Sequence, residues 1–191
     1  MLLEDCYSVA DAVVVGGLLI SLLRHSDRVA SASLAQLVNV IAPIMTESGG
    51  RAWKQTTFHP FAQMSRLAIG NVLQVHIRGT IHDTKRYGQV TDVDAVATHD
   101  PDTGAVTVFA INRSGIETCL ISLDLRSFPG TRLVEATQLS RRNPYASANA
   151  DNAEEFIPAV NLDTTWNDTT LTVMAPAVSW NVIRLERTPQ L

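Results

Sequence analysis

Near Gly70 the chain changes character, and that change limits what it can become. From Asn71 onward, short runs rich in Val, Ile and Thr are separated by turn signals at fairly regular intervals, the pattern of an all-β domain. Ahead of that point the texture is helical: Val9, Ala12, Val13, Gly16, Ile20 and Leu23 recur at helix spacing, with Ser8 placed as an N-cap. The 191 residues therefore divide into an α/β piece over 1–70 and an antiparallel β-sandwich over 71–191.

Within the first piece, residues 8–25 predict one helix. Val14, Val15, Leu18, Leu19 and Leu22 fill further faces, so most of its surface should be covered, and Gly16-Gly17 should permit close packing. The small residues of 29–37 suit a strand in a tight interior. Pro43, Ser48, Gly49 and Gly50 mark residues 39–53 as an irregular loop with a tight turn, and residues 60–67 predict a second helix with Pro60 near its first position.

In the second piece, strands are expected over residues 90–98, 105–112, 117–125, 133–139, 170–174 and 179–187. Asp100 to Gly104 and Asn112 to Gly115 provide hairpin-like connections. Residues 105–111 are apolar on both faces, which marks an inner strand. Residues 141–158, rich in Asn, Ala and Ser, read as a long surface loop.

Several function classes fall away. A net charge of -4 with scattered Lys and Arg gives no field for nucleic acid. The most apolar stretch, residues 12–23, is too short for the roughly 20 residues of a membrane span. No Lys or Arg precedes Arg24, so no secretory leader is expected and the cytoplasm is favoured. Cys6 and Cys119 are too far apart for a metal spacing and read as two buried free thiols.

His76 and His82, beside Asp83, fit no ligand geometry and read as structural or exposed. Asp92, Asp94, Asp100 and Asp102 are assigned to solvent, the last two as turn formers. The triplets Asn112-Arg-Ser and Asn167-Asp-Thr read as turns rather than glycan acceptors. There is no Gly-x-Ser-x-Gly elbow and no phosphate-binding glycine loop; neither a cofactor nor a metal is expected.

The stretch Leu34-Ala-Gln-Leu-Val-Asn-Val-Ile-Ala-Pro-Ile-Met-Thr46, followed by Gly49, Gly50 and Trp53, resembles the last barrel strand and its loop in family 51 α-L-arabinofuranosidases. The likeness extends upstream through Leu2-Leu3-Glu4-Asp5, Asp11-Ala12 and Leu23-Arg24-His25-Ser26-Asp27. Downstream it runs through Gln55-Thr56-Thr57-Phe58 and Pro60-Phe61 into the sandwich.

The resemblance implies an α+β chain: the last helix-strand-helix segment of a (β/α)8 barrel followed by an antiparallel β-sandwich. Such a barrel takes about 250 residues, so residues 1–70 would be the tail of one. It also implies a retaining glycosidase that releases terminal α-L-arabinofuranosyl groups from arabinan or arabinoxylan. That chemistry needs two carboxyl groups about 5 to 5.5 Å apart. The family's two catalytic Glu lie upstream of the matched region, and neither an Asn-Glu pair nor Glu-Trp-Asn occurs here, so no catalytic residue is assigned and the chain alone is expected to be inactive.

By the same resemblance, Gln36 stands where the family hydrogen-bonds the arabinose with a side-chain amide. Trp53 would form an apolar wall for the sugar, or else pack beneath the loop. Glu47 is the one carboxylate near the implied barrel mouth, and it lacks a partner for acid/base work. The expected partner is an arabinose-containing oligosaccharide or polysaccharide, bound through the parent enzyme.

Two other functions stay open. One is a non-catalytic carbohydrate-binding or assembly module, which would need an exposed aromatic row among Tyr87, Phe109, Phe128, Tyr145, Phe156, Trp166 and Trp180. The other is one half of a split enzyme, complementing a missing barrel chain. With few partners for the apolar faces of the first helix, a homo-oligomer is a further expectation.

Overall fold

The computed structural model describes residues 4–167 and 169–187. Leu2 and Leu3 of the upstream resemblance, and Asp168 of the Asn167-Asp-Thr triplet, lie outside the described residues.

The first helix, α1 (Val9–Arg24), begins where the sequence places its cap. Ser8 Oγ accepts from the Asp11 backbone N–H at 3.3 Å and Asp11 Oδ2 accepts from the Ser8 N–H at 2.7 Å, so two otherwise orphaned donors are satisfied reciprocally. The second helix, α2 (Phe58–Leu67), starts two residues before Pro60, one turn after the buried Gln55 and Thr56. No helix among the described residues is long and apolar enough to cross a membrane.

Thirteen strands form four antiparallel sheets among the described residues. The first pair is a hairpin, β1 (Ile44–Thr46) and β2 (Ala52–Lys54). A second separate hairpin joins β4 (Ile81–Thr84) to β5 (Gly88–Thr91).

The main sheet has six strands, in the order β10 (Ala159–Val160), β9 (Thr131–Leu139), β13 (Ser179–Arg187), β7 (Val106–Asn112), β6 (Val93–His99) and β3 (Asn71–Leu73). Three more strands, β11 (Thr164–Asn167), β12 (Thr170–Ala175) and β8 (Cys119–Asp124), make the smaller sheet.

The two-sided apolar pattern of residues 105–111 follows from three layers rather than two. Phe109 and Ile111 of β7 face the helices, in one cluster with Val9, Val13 and Ile20 of α1. Val106 and Val108 face the smaller sheet, in a cluster with Leu171 and Val173 of β12. On β13 the same split puts Trp180 and Val182 toward the helices and Ile183 and Leu185 toward the smaller sheet. The six-stranded sheet is thus covered on both faces.

Trp180 is the anchor of the helix side. It is 0% exposed, stacks on Phe109 with ring centroids 5.9 Å apart, and donates its indole N–H to Gln63 Oε1 of α2 at 2.8 Å. Gly16 makes room for it: a Cβ there would lie 2.5 Å from Trp180 Cε3. The passage from helices to sheet is also held close, because Gly70 takes φ +84 and a Cβ on it would meet the His99 carbonyl oxygen at 2.2 Å.

Several expectations need correction. Residues 29–37 form no strand, and residues 30–38 are exposed. A strand buried on both faces requires hydrogen-bonded neighbours, and near this segment the described residues supply one isolated parallel bridge, Val38 to Ile44. One line along α1 is not covered: Val14 and Leu18 are each 62% exposed and Leu22 continues their line. The irregular loop 39–53 contains the β1–β2 hairpin, closed by the Ser48-Gly49-Gly50 turn.

The stretch 90–98 is two strands that part at Asp92, since β5 belongs to the small hairpin and β6 to the main sheet. Asp92 is buried rather than solvated, with Oδ1 at 2.6 Å from His82 Nδ1, and Asp94 is partly covered beneath Arg24 and Arg113. Residues 141–158 are not purely surface, because Ala148 and Phe156 enter the helix-side core. Both cysteines are free, but Cys6 is exposed and Cys119 half-buried.

Other expectations hold. Asp100 caps its own turn, accepting from the Asp102 N–H at 3.0 Å and the Thr103 hydroxyl at 2.7 Å. Asn112 is 0% exposed and its amide donates to Glu117, Ala175 and Pro176 carbonyls, which suits a structural residue and not a glycan acceptor.

Candidate functional site

The residues singled out for sugar recognition lie on the segment between α1 and α2. Gln36 sits in its exposed part, and its amide Nε2 reaches only the Val38 carbonyl, at 3.4 Å. Both ends of that amide are open to a ligand, and an amide carries the donor and acceptor that sugar hydroxyls require.

Trp53 lies on β2, opposite Met45 of β1, and its ring packs against the helix-side core. Its indole N–H is buried with no hydrogen-bond partner among the described residues. Packing accounts for the covered part of the ring, but Trp53 is only half-buried, and its indole N–H is left without a bond. No hydrogen bond or ring contact joins Gln36 to Trp53 among the described residues.

Glu47, at the tip of the β1–β2 hairpin, is turned toward Arg51, with Oε2 at 3.9 Å from its Nε. Arg51 in turn reaches Asp151 at 2.8 Å, tying the hairpin to the loop after β9. This exposed chain of charges locks two loops together and gives Glu47 no carboxylate partner for acid/base work.

Sequence reasoning missed the groups that brace this segment. Gln55 is buried; its amide donates to the Asp5 carbonyl at 3.0 Å and the Ala42 carbonyl at 2.9 Å, and its Oε1 accepts from the Tyr7 N–H at 2.9 Å. Thr56 Oγ1 donates to the Ser8 carbonyl at 2.6 Å. Together they staple the chain before α1 to the chain before α2. Asn39 does the same nearer Gln36, accepting from the Thr46 N–H at 2.7 Å and donating to Thr46 Oγ1 at 2.9 Å. Buried or locally bonded amides of this kind leave no periodic signal in a sequence.

His59, in the first turn of α2, is buried, and its Nε2 has no hydrogen-bond partner among the described residues. Burial, with the Lys54 ammonium as a smaller influence, pushes its pKa down to about 4, so it is neutral at pH 7. At the opposite side of the main sheet, the hydroxyl of Thr80 and then His82 hold the Asp92 carboxyl below the ordinary range. Among the described residues no group of three or more His, Cys, Asp or Glu has metal-binding geometry.

Comparison with known proteins bears directly on this segment. The profile of the α-L-arabinofuranosidase C-terminal domain matches residues 1–179. An intracellular exo-α-(1→5)-L-arabinofuranosidase of Acetivibrio thermocellus is 43% identical over 185 residues, covering 96% of this chain and 37% of the relative. One of the same name from Streptomyces lividans is 46% identical over 183 residues, covering 96% of this chain and 28% of the relative.

Among solved structures, a family 51 α-L-arabinofuranosidase from Bifidobacterium longum superposes with a TM-score of 0.91 at 43% identity, covering 96% of this chain and 36% of that one. The chain spans between 28% and 37% of the length of these relatives. A small β-rich unit with two helices and several antiparallel sheets, matched along nearly its whole length, belongs to the α-L-arabinofuranosidase C-terminal domain family.

Proposed function

We propose that this chain acts as the C-terminal portion of a retaining α-L-arabinofuranosidase, contributing the last helix-loop-helix segment of the catalytic barrel, residues 1–70, and its β-sandwich, residues 71–191. One observation carries the reading. The outward line of α1, Val14, Leu18 and Leu22, is exposed, and so are Leu37 and Ile41 on the segment that follows, with Leu37 at 69%. An apolar surface of this kind on the segment that resembles the end of a barrel suits the wall against which the preceding barrel elements pack.

Gln36 and Trp53 are the residues proposed to meet the arabinose, Gln36 through its open amide and Trp53 through its ring. The names of the relatives support arabinofuranosyl substrates, as in arabinan or arabinoxylan, and the word intracellular in those names supports a cytoplasmic location. Neither family motif for the catalytic carboxylates is present in the 191 residues, so the chain alone is proposed to be inactive.

A separate polypeptide that carries the other barrel strands would cover the same apolar line, which is the one alternative a specific observation favours. A carbohydrate-binding module is less well supported. Of the aromatics it would use, Phe109, Phe156 and Trp180 are buried, while Tyr87, Tyr145 and Trp166 are spread over the β4–β5 hairpin, the loop after β9 and β11.

The test is hydrolysis of 4-nitrophenyl α-L-arabinofuranoside by the purified chain, with its mass in solution measured on the same sample. No turnover is expected, and turnover that survives Gln36→Ala would defeat the proposal. Co-purification of a second chain that restores activity would move the reading to a split enzyme.

A further inference from the structure

The segment that carries Gln36 has almost no packing of its own, since residues 30–38 are all exposed. Something other than a core must set where the amide stands. The chain turns immediately afterwards through two successive left-handed residues, Asn39 and Val40, both at φ 60. Asn accepts that conformation readily, but for a β-branched residue it is a costly outlier that persists only where surrounding bonds impose it.

Those bonds converge on Asn39. Its backbone N–H donates to the Ile44 carbonyl at 2.8 Å and its carbonyl accepts from the Ala42 N–H at 3.0 Å. Its side chain reads both polar groups of Thr46 at the end of β1: Oδ1 accepts from the backbone N–H at 2.7 Å, and Nδ2 donates to Oγ1 at 2.9 Å. Val40 adds one tie through its carbonyl, which accepts from the Asp5 N–H at 2.8 Å. On the other side of the turn, Val38 bridges to Ile44 and its carbonyl is the acceptor for Gln36 Nε2.

We propose that Asn39 is the positioning residue for Gln36: by clamping on Thr46 it fixes the left-handed turn, and the turn fixes the direction in which residues 36–38 lie beside β1. This rests on the reading of Gln36 as a sugar ligand only for its functional consequence. The clamp is a property of the chain itself. The Oδ1 acceptor is the main arm of the clamp, since it takes the Thr46 N–H at 2.7 Å and lies 3.3 Å from the Thr46 hydroxyl, which can also donate to it.

The experiment measures backbone order parameters by nitrogen-15 relaxation on the purified chain and on Asn39→Ala, Asn39→Gly, Asn39→Asp and Thr46→Val. In the parent chain residues 36–38 are expected near the rigid value of about 0.85, and in Asn39→Ala below about 0.6, with β7 and β13 unchanged. Asn39→Gly keeps access to positive φ but loses the clamp, so it too should loosen. Asn39→Asp retains the Oδ1 acceptor and should hold most of the order. If Asn39→Ala unfolds, Asn39→Gly, which leaves the left-handed turn accessible, carries the test, while Thr46→Val, which keeps the backbone N–H bonded to Oδ1, should behave like Asn39→Asp. Residues 36–38 already flexible in the parent chain, or equally ordered in Asn39→Gly, would overturn the proposal.

A second arm titrates L-arabinose and follows the backbone amide resonances of residues 36–38, which remain observable in Gln36→Ala. Asn39→Ala should weaken the response about tenfold, the loss of one charge-free hydrogen-bonded contact, and should add nothing in the Gln36→Ala background. Order lost without any arabinose response in the parent chain would sink the sugar-ligand reading and support the clamp. An arabinose response with order unchanged in Asn39→Ala would sink the clamp and leave that reading standing.

Discussion

Gly16 and Gly17 are neighbours in the middle of α1, and only the first faces Trp180, which makes them an informative pair. Replacing either by Ala gains the same helix propensity, about 0.8–1.0 kcal/mol. At Gly17 the new Cβ meets only Ile111 Cδ1, at 3.1 Å, the end of a side chain that need give by only a few tenths of an ångström. At Gly16 it meets Trp180 Cε3 at 2.5 Å and Cζ3 at 2.9 Å. That ring is 0% exposed, stacked on Phe109 and bonded to Gln63, so it has nowhere to go without disturbing both.

Overpacking of a well-filled core costs about 1–3 kcal/mol. Gly17→Ala should therefore stabilise by up to about 1 kcal/mol, and Gly16→Ala should be destabilising by up to about 2 kcal/mol after its propensity gain. The difference between the two variants, about 1–3 kcal/mol, corresponds to several degrees in Tm for a chain of this size. Urea and thermal denaturation of the two variants read it directly. Equal stabilities would mean that α1 does not sit on Trp180 as described.

Two further outcomes follow from buried polar groups. Asn112→Ala strands three carbonyls and the Ser114 N–H that the amide now satisfies, and should cost about 2–4 kcal/mol in urea unfolding without shifting the far-ultraviolet spectrum; a cost under about 0.5 kcal/mol would contradict that network. His59 has its folded pKa lowered from 6.5 to about 4, so between those values the unfolded chain binds more protons and stability falls as pH falls through the window, by about 3 kcal/mol in all. His59→Gln should flatten that part of the pH profile, and an unchanged slope would count against the burial of a neutral imidazole.

Much of the fold could be read from the sequence because the physics was local. Ser8 announces the start of α1, Asp100 and Gly104 announce a turn, and the two-sided apolar run of β7 announces an inner strand. The reading failed where a residue's state depends on distant partners. Small residues at 29–37 look like an interior strand, yet a strand exists only if another lies beside it, and single residues say nothing of that. Asp92 looks solvated by type, but its carboxyl is taken up by Thr80, just ahead of β4, and by His82 on β4. The candidate site was legible only through resemblance: Gln36 has no periodicity to mark it, and Asn39 matters through a backbone conformation and a partner seven residues away, neither visible in composition.

The six-stranded sheet is filled from both sides by neighbours on opposite sides of Gly70 in sequence. Its helix-facing residues, Phe109, Ile111, Trp180 and Val182, are the floor on which α1 rests. The glycine that joins the parts is pressed against the His99 carbonyl. Such a junction cannot behave as a leash. Neither part can tilt without opening the core of the other, so the sheet acts as a rigid mount, and heat or denaturant should dissolve helices and strands in one step, with a single Tm whichever probe reports it.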